Sequence, residues 1–280
     1  MTGRVRQNPA PCSATTAGCS AAGGSILAAG VSPGILAAGP SDAPAIVFVH
    51  STRLTSAMWT AQLDGLGGEY RTIAIDLPGH GTRAVEPFSL AAATDVVSAT
   101  IQEHAAGGRA IVVGLSLGGY VAMALAARDP ARVRGLVLAG ATAEPVGRRA
   151  LPFLGLAAAM GRKGAKRFDR LSGWYFRTRY PAAMAEPIVA GGFWPVEGAA
   201  ALRALVGERF MPRLAAYPGR TLIVNGELDL VFRLSAPSFA AAAQDAQRVR
   251  IRGATHLVNL DRPAAFNEAV RRFARSLDPI

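Results

Sequence analysis

The most chemically pointed feature of the 280-residue chain is a serine between two glycines, Gly114-Leu115-Ser116-Leu117-Gly118. It follows the apolar run Ala110-Ile111-Val112-Val113 and precedes a helical pattern over Leu117–Arg128. The chemistry explains that spacing. A serine at a sharp strand-to-helix turn takes a strained backbone, and a side chain at either flanking glycine would collide with its neighbours. The turn lifts the Ser116 hydroxyl above a sheet and aims a helix N-terminus at any negative charge forming there. A glycine-rich turn without chemistry is the competing reading, and the strand–turn–helix context outweighs it.

A serine hydroxyl is a weak nucleophile until a base takes its proton. Four histidines are available. His104 ends a predicted helix beside Gln102 and Glu103, which reads as a surface position. His50 and His80 sit in loops after the first two core strands. His256, in Ala254-Thr255-His256-Leu257, lies after the last strand and before the last helix, where a base can swing over the strand ends. Such a base needs an anion to hold its tautomer and stabilise the imidazolium. Asp229, in Asn225-Gly226-Glu227-Leu228-Asp229, follows the penultimate strand and fits. Glu227 on the same turn and Glu144, after an earlier strand, are its competitors.

These residues need a rigid frame, and the hydrophobic pattern predicts one. Ala45-Ile46-Val47-Phe48-Val49 is a continuous apolar run, as expected of a strand buried on both faces of a parallel sheet. Similar runs begin at Thr72, Ala110, Leu136 and Thr221. Arg248-Val249-Arg250-Ile251 alternates, which suits an edge strand. Helical patterns at 56–66, 90–104 and 117–128 lie between them, and Asp261 and Pro263 signal the start of a last helix with Phe266, Val270, Phe273 and Leu277 on one face. Strands alternating with helices predict an α/β fold, a mostly parallel twisted sheet covered on both faces. The rhythm breaks between about Ala141 and Gly219. That Arg-rich stretch, 12 basic against 5 acidic residues or +7, carries no convincing strand. The expected organisation is a disordered tail at 1–24, a core at 25–141 and 217–280, and a helical lid at 142–216. Repeated Ile-Leu-Ala-Ala-Gly runs at 26–30 and 35–39, with Pro33-Gly34 between them, suggest two opening strands.

Composition excludes several function classes. With 50% apolar and 18% charged residues the chain can bury a core, so general disorder is excluded. Cys12 and Cys19 are the only cysteines, too few for a disulfide scaffold. No apolar run reaches the ~18–20 residues of a membrane helix, and the N-terminus lacks the apolar segment of a signal peptide, so a cytoplasmic location is expected. Thirty basic and nineteen acidic residues give +11. The excess is almost all Arg and accompanies no nucleic-acid-binding motif, so it reads as compositional bias. Neither a metal nor a nucleotide cofactor is expected, because no metal-ligand spacing or Walker sequence occurs.

From Ala45 to Leu277 the chain resembles the α/β-hydrolase superfamily, in its lid-bearing branch of esterases, enol-lactonases and cofactor-free haloperoxidases. The order Ser116, Asp229, His256 is that superfamily's order. His50 followed by a small residue resembles its oxyanion loop, and Asp76-Leu77-Pro78-Gly79-His80-Gly81 its next turn. Two positions depart from the pattern: Ser51 stands where Gly is usual, and Ala254-Thr255 precede His256 in place of Gly or Ala-Gly. The resemblance implies a Ser116–His256–Asp229 triad, an oxyanion hole built from the Thr52 and Leu117 N–H groups, and structural roles for His50 and His80 within their loops. It implies hydrolysis of a small-molecule ester or lactone through an acyl-enzyme. Alternatives are an acyltransferase, a haloperoxidase and a hydrolase-like ligand-binding protein. Candidate pocket walls are Trp59, Phe193 and Trp194, with Trp174, Tyr175 and Phe176. Arg53 is placed to meet a substrate carboxylate.

Overall fold

The computed structural model describes residues 33–161 and 163–277. The tail expected at 1–24, the first Ile-Leu-Ala-Ala-Gly run and both cysteines lie outside them. Seven strands form one sheet: β1 (Ile35–Ala38), β2 (Ala45–Val49), β3 (Arg71–Ile75), β4 (Ala110–Leu115), β5 (Val133–Ala139), β6 (Arg220–Gly226) and β7 (Asp245–Ile251). Their spatial order is β1-β3-β2-β4-β5-β6-β7. Only β1 is antiparallel, pairing with β3; the other neighbours are parallel. Every residue of β2, β3 and β4 is buried, as their unbroken apolar runs require, while β7 is largely exposed at the sheet edge.

Side chains alternate between the two faces. Val47 and Val49 pack towards α2 (Leu90–His104), α3 (Leu117–Arg128), α8 (Met211–Ala216) and α9 (Leu230–Ala242). Ile46 and Phe48 pack towards α1 (Thr60–Leu66) and α11 (Pro263–Arg275). α3 is apolar all round and buried from Leu117 to Ala126, as a central helix must be. α11 instead buries one face through Phe266, Val270 and Phe273. Each such side chain stabilises by ~1.5–3 kcal/mol on leaving water, so packing rather than propensity holds that helix.

Between β5 and β6 lie five helices: α4 (Leu151–Met160), α5 (Ala165–Arg179), α6 (Ala182–Ala190), α7 (Pro195–Leu205) and α8; α10 (Val258–Asp261) precedes α11. Among the described residues no helix is long and apolar enough to cross a membrane. The topology already nominates a site. From β2 the chain goes to β3 on one side and later to β4 on the other, so the order reverses between β2 and β4. A crevice opens beyond the carboxyl ends of strands at such a reversal. Ser116 follows β4 there, and the loop from His50 to Arg53 follows β2.

Candidate active site

Ser116 has φ 53° and ψ −115°, and among the described residues only Arg53 is another non-glycine with positive φ. The turn is tight enough to demand its glycines. A Cβ at Gly114 would fall 2.3 Å from the Gly118 backbone, and one at Gly118 would fall 2.1 Å from the Val49 carbonyl oxygen. The Ser116 N–H donates to the Ala139 carbonyl at 2.8 Å, tying the turn to β5.

Asp229 immediately precedes α9, where an aspartate commonly caps its own helix. Here it does not. Its Oδ2 lies 2.9 Å from Nδ1 of His256, so Nε2 is left facing away from the carboxylate. Backbone bonds from Glu227 N–H to Ile251 and from Leu228 N–H to Ala254 hold the two loops together. Phe232, three residues past Asp229, stacks on the imidazole at 4.8 Å and 26°. Gly140, at the end of β5, makes room for the pair: a Cβ there would meet His256 Cε1 at 2.8 Å and Nδ1 at 2.9 Å. The competing carboxylates are engaged elsewhere. Glu144 accepts from the N–H groups of Phe210 and Met211 at the start of α8, and Glu227 accepts from Gly253 N–H.

His50 and His80 pin the loop that faces Ser116. Each ring has Nδ1 against a carbonyl oxygen, of Ser51 at 2.8 Å and Pro78 at 3.0 Å, so Nδ1 carries the proton. Each Nε2 then accepts from the other loop: His50 from Leu77 N–H at 2.9 Å, and His80 from Arg53 N–H at 3.1 Å. Each therefore bonds within its own loop, as expected, and also serves as a crossed strut to the other loop. Burial lowers the pKa of both, and His50 nearby helps push His80 down to about 3, so both rings stay neutral. The Thr52 and Leu117 N–H groups make no backbone hydrogen bond among the described residues.

This arrangement sits within a stretch, residues 46–269, that matches the model of the alpha/beta hydrolase family. The chain belongs to that family. This hydrolase is 26% identical to 3-oxoadipate enol-lactonase 1 of Acinetobacter baylyi, over 85% of its own length and 91% of the lactonase. It is 37% identical to a pimeloyl-[acyl-carrier protein] methyl ester esterase of Neisseria meningitidis over 46% of its own length and 49% of that enzyme. Among solved structures it resembles a thermophilic esterase from Thermogutta terrifontis with malate bound, at a TM-score of 0.72 and 26% identity, covering 86% of this chain and 92% of that one.

In this hydrolase Ser116, Thr52, Arg53 and His256 open on one cavity of about 290 Å³. Its walls differ from the sequence expectation. Trp59 is fully buried between Phe48 and Phe266 in the core, so it lines no cavity. Phe193 and Trp194 also lie off the wall: Phe193 stacks on buried Phe176, and the Trp194 indole donates to the Gly191 carbonyl. Trp174 is 65% exposed. The apolar wall comes instead from Phe153, Leu156, Phe168 and Leu202 of the inserted helices, with Phe232 and Leu257 beside the Asp229 and His256 loops. One sequence signal could have found part of it. Residues 151–160 are apolar on every side and leave no polar face for solvent, so that helix must turn apolar surface towards a core or a cavity. His104 is not at the surface either; its ring is mostly buried. Among the described residues no group of three or more His, Cys, Asp or Glu side chains could hold a metal ion.

Proposed function

We propose that this hydrolase cleaves a small carboxylic ester or lactone through an acyl-enzyme carried by Ser116. His256 takes the Ser116 proton as the oxygen attacks the carbonyl carbon, and returns it to the departing alkoxide. Water then attacks the acyl-enzyme, giving its proton to His256, and Ser116 regains a proton as the acid leaves. Asp229 holds the proton on His256 Nδ1, which frees Nε2 to act as base, and stabilises the imidazolium once it forms. Thr52 and Leu117 N–H groups receive the oxyanion, where a single such donor stabilises by ~2.7–4 kcal/mol in measured cases. The helices between β5 and β6 act as a lid that shapes the substrate space.

The observation that carries this reading is the Asp229–His256 hydrogen bond at 2.9 Å beside a cavity that Ser116 also lines. The enol-lactonase and esterase names of the relatives agree with it. The test is Ser116→Ala, which fits the same space without the nucleophile. Turnover of 4-nitrophenyl acetate should fall at least ~10³-fold, in line with triad losses elsewhere, and labelling by a fluorophosphonate should vanish. Activity within tenfold of the native enzyme in a folded variant would overturn the assignment.

A further inference from the structure

Arg53 stands on the cavity wall with Ser116 and His256, and the rest of that wall is mostly apolar. Its guanidinium has no carboxylate within 4 Å among the described residues. One Nη1–H donates to Ser172 Oγ at 3.0 Å, and Ser172 in turn donates to the Phe168 carbonyl. The Phe168 and Phe193 rings lie 5.0 and 5.8 Å from the guanidinium carbon. These contacts orient the group without neutralising it, and they occupy one of its five N–H donors. Burial draws its pKa down to about 10, a measure of how poorly the site solvates the charge.

The backbone is fixed as firmly as the side chain. Arg53 has φ 58°, which ordinary residues avoid, and it is held there by His80 Nε2 on its N–H and Trp194 N–H on its carbonyl. A strained residue that presents a cation without a carboxylate partner to this cavity fits an anion-binding role better than a packing role. Phe153, Leu156, Phe168 and Leu202 line the same cavity as Ser116 and Arg53, so an alkyl chain joining the ester to the carboxylate would meet an apolar wall.

We propose that Arg53 binds a carboxylate of the substrate, so that the substrate is an ester or lactone of an acid bearing a second, ionised carboxyl group. This inference rests on the reading of Ser116 as nucleophile. A guanidinium offers a carboxylate two parallel N–H bonds, and in a mostly apolar cavity that geometry separates it sharply from a neutral amide of the same shape.

The test compares 4-nitrophenyl monoesters of glutaric and adipic acid with the 4-nitrophenyl esters of the corresponding monoamides, using Ser116→Ala protein to subtract spontaneous hydrolysis. The native enzyme should favour the carboxylate member of at least one pair by ~30-fold or more in kcat/KM. In Arg53→Gln that ratio should fall at least tenfold, with Arg53→Lys in between; a general loss of activity divides out of the ratio. Equal use of acid and amide by the native enzyme overturns the proposal, as does an unchanged ratio in folded Arg53→Gln, which would leave Arg53 as a packing partner of Phe168 and Phe193. The native ratio decides alone if Arg53→Gln does not fold. If the native enzyme hydrolyses none of the esters and resists the fluorophosphonate, the ester reading itself fails. Calorimetric titration with adipate then decides: saturable binding that Arg53→Gln abolishes supports the carboxylate site, and no binding overturns it.

Discussion

Gly140 gives the sharpest test of the pair beside Ser116, because it does no chemistry and touches both partners. Its N–H donates to the Val224 carbonyl at 3.2 Å, so its Cα is anchored to β6. A Cβ there would sit 2.8 Å from His256 Cε1, 2.9 Å from Nδ1 and 3.2 Å from Asp229 Oδ2, while ordinary contact begins near 3.4 Å. The imidazole must therefore retreat by about 0.6 Å, from 2.8 to 3.4 Å, and Phe232 stacked on the ring restricts the way out. Moving the ring that far takes the 2.9 Å bond to Asp229 towards the length at which it ceases to be one. Loss of tautomer control reaches ~10⁴ in turnover in the serine-protease case, and a misplacement of ~1 Å costs ~10², so Gly140→Ala should lower kcat by roughly 10²-fold. Alanine at φ 52° costs ~1–2 kcal/mol of stability through backbone strain. Gly147 supplies the control: it has φ 55°, and a Cβ there meets nothing within 4 Å. Gly147→Ala should show similar destabilisation with nearly native kcat. The assays are 4-nitrophenyl acetate turnover, the rate of fluorophosphonate labelling, and urea unfolding for both variants. Turnover by Gly140→Ala within threefold of Gly147→Ala would refute the reasoning and leave the Asp229–His256 bond without a catalytic role.

Two further outcomes are expected beyond those given for Ser116 and Arg53. Asp229→Asn should cost at least ~10²-fold in turnover, whereas Glu144→Gln should cost less than ~10-fold while losing roughly 1 kcal/mol of stability, because Glu144 caps α8; the reverse ranking would move the proposed acid of the triad to Glu144. His80 is neutral in the fold with a pKa lowered from 6.5 to about 3, so its stabilising contribution is complete above pH 6.5 and is lost as the pH falls towards 3. Between pH 6.5 and 5 it alone should remove up to about 2 kcal/mol of unfolding free energy, at ~1.4 kcal/mol per unit, and His80→Gln should flatten that acid slope in urea titrations. Equal slopes would show that His80 is not the strut described.

What the sequence disclosed follows from how locally each feature is encoded. β2 matches its apolar run residue for residue, and α2 and α3 match their periodicity, because burial on both faces or along one stripe is written directly into residue type. The positions of Ser116, Asp229 and His256 were legible for a related reason: each sits in a short loop at the end of a recognisable strand, and the parallel sheet gathers those ends. Beyond the all-apolar pattern of α4, the cavity wall was not legible. An aromatic residue looks the same in sequence whether it faces a core or a void, and Trp59 faces Phe48 and Phe266. Which face α4 and α5 turn inward depends on how the inserted helices dock, information spread over the whole 142–216 stretch. Gly140 was equally silent, since a glycine at a strand end reads as a turn until the imidazole beside it is seen.

The loop from His50 to Arg53 shows how one strained residue is held in place. Ser51 stands where glycine is usual, and the left-handed backbone conformation of this loop is at Arg53, two residues later. Such a conformation costs about 1–3 kcal/mol and persists only where surrounding contacts over-determine it. Here they do: His80 takes the Arg53 N–H, Trp194 bonds its carbonyl, Thr52 Oγ donates to the Gly198 carbonyl, and Gly198 itself leaves room for both residues. The same contacts that hold the strain also aim the Arg53 side chain into the cavity and leave the Thr52 N–H without a backbone partner. Loop geometry, the proposed oxyanion donor and the proposed carboxylate site are thus one construction, and loss of the His80 strut should disturb all three together.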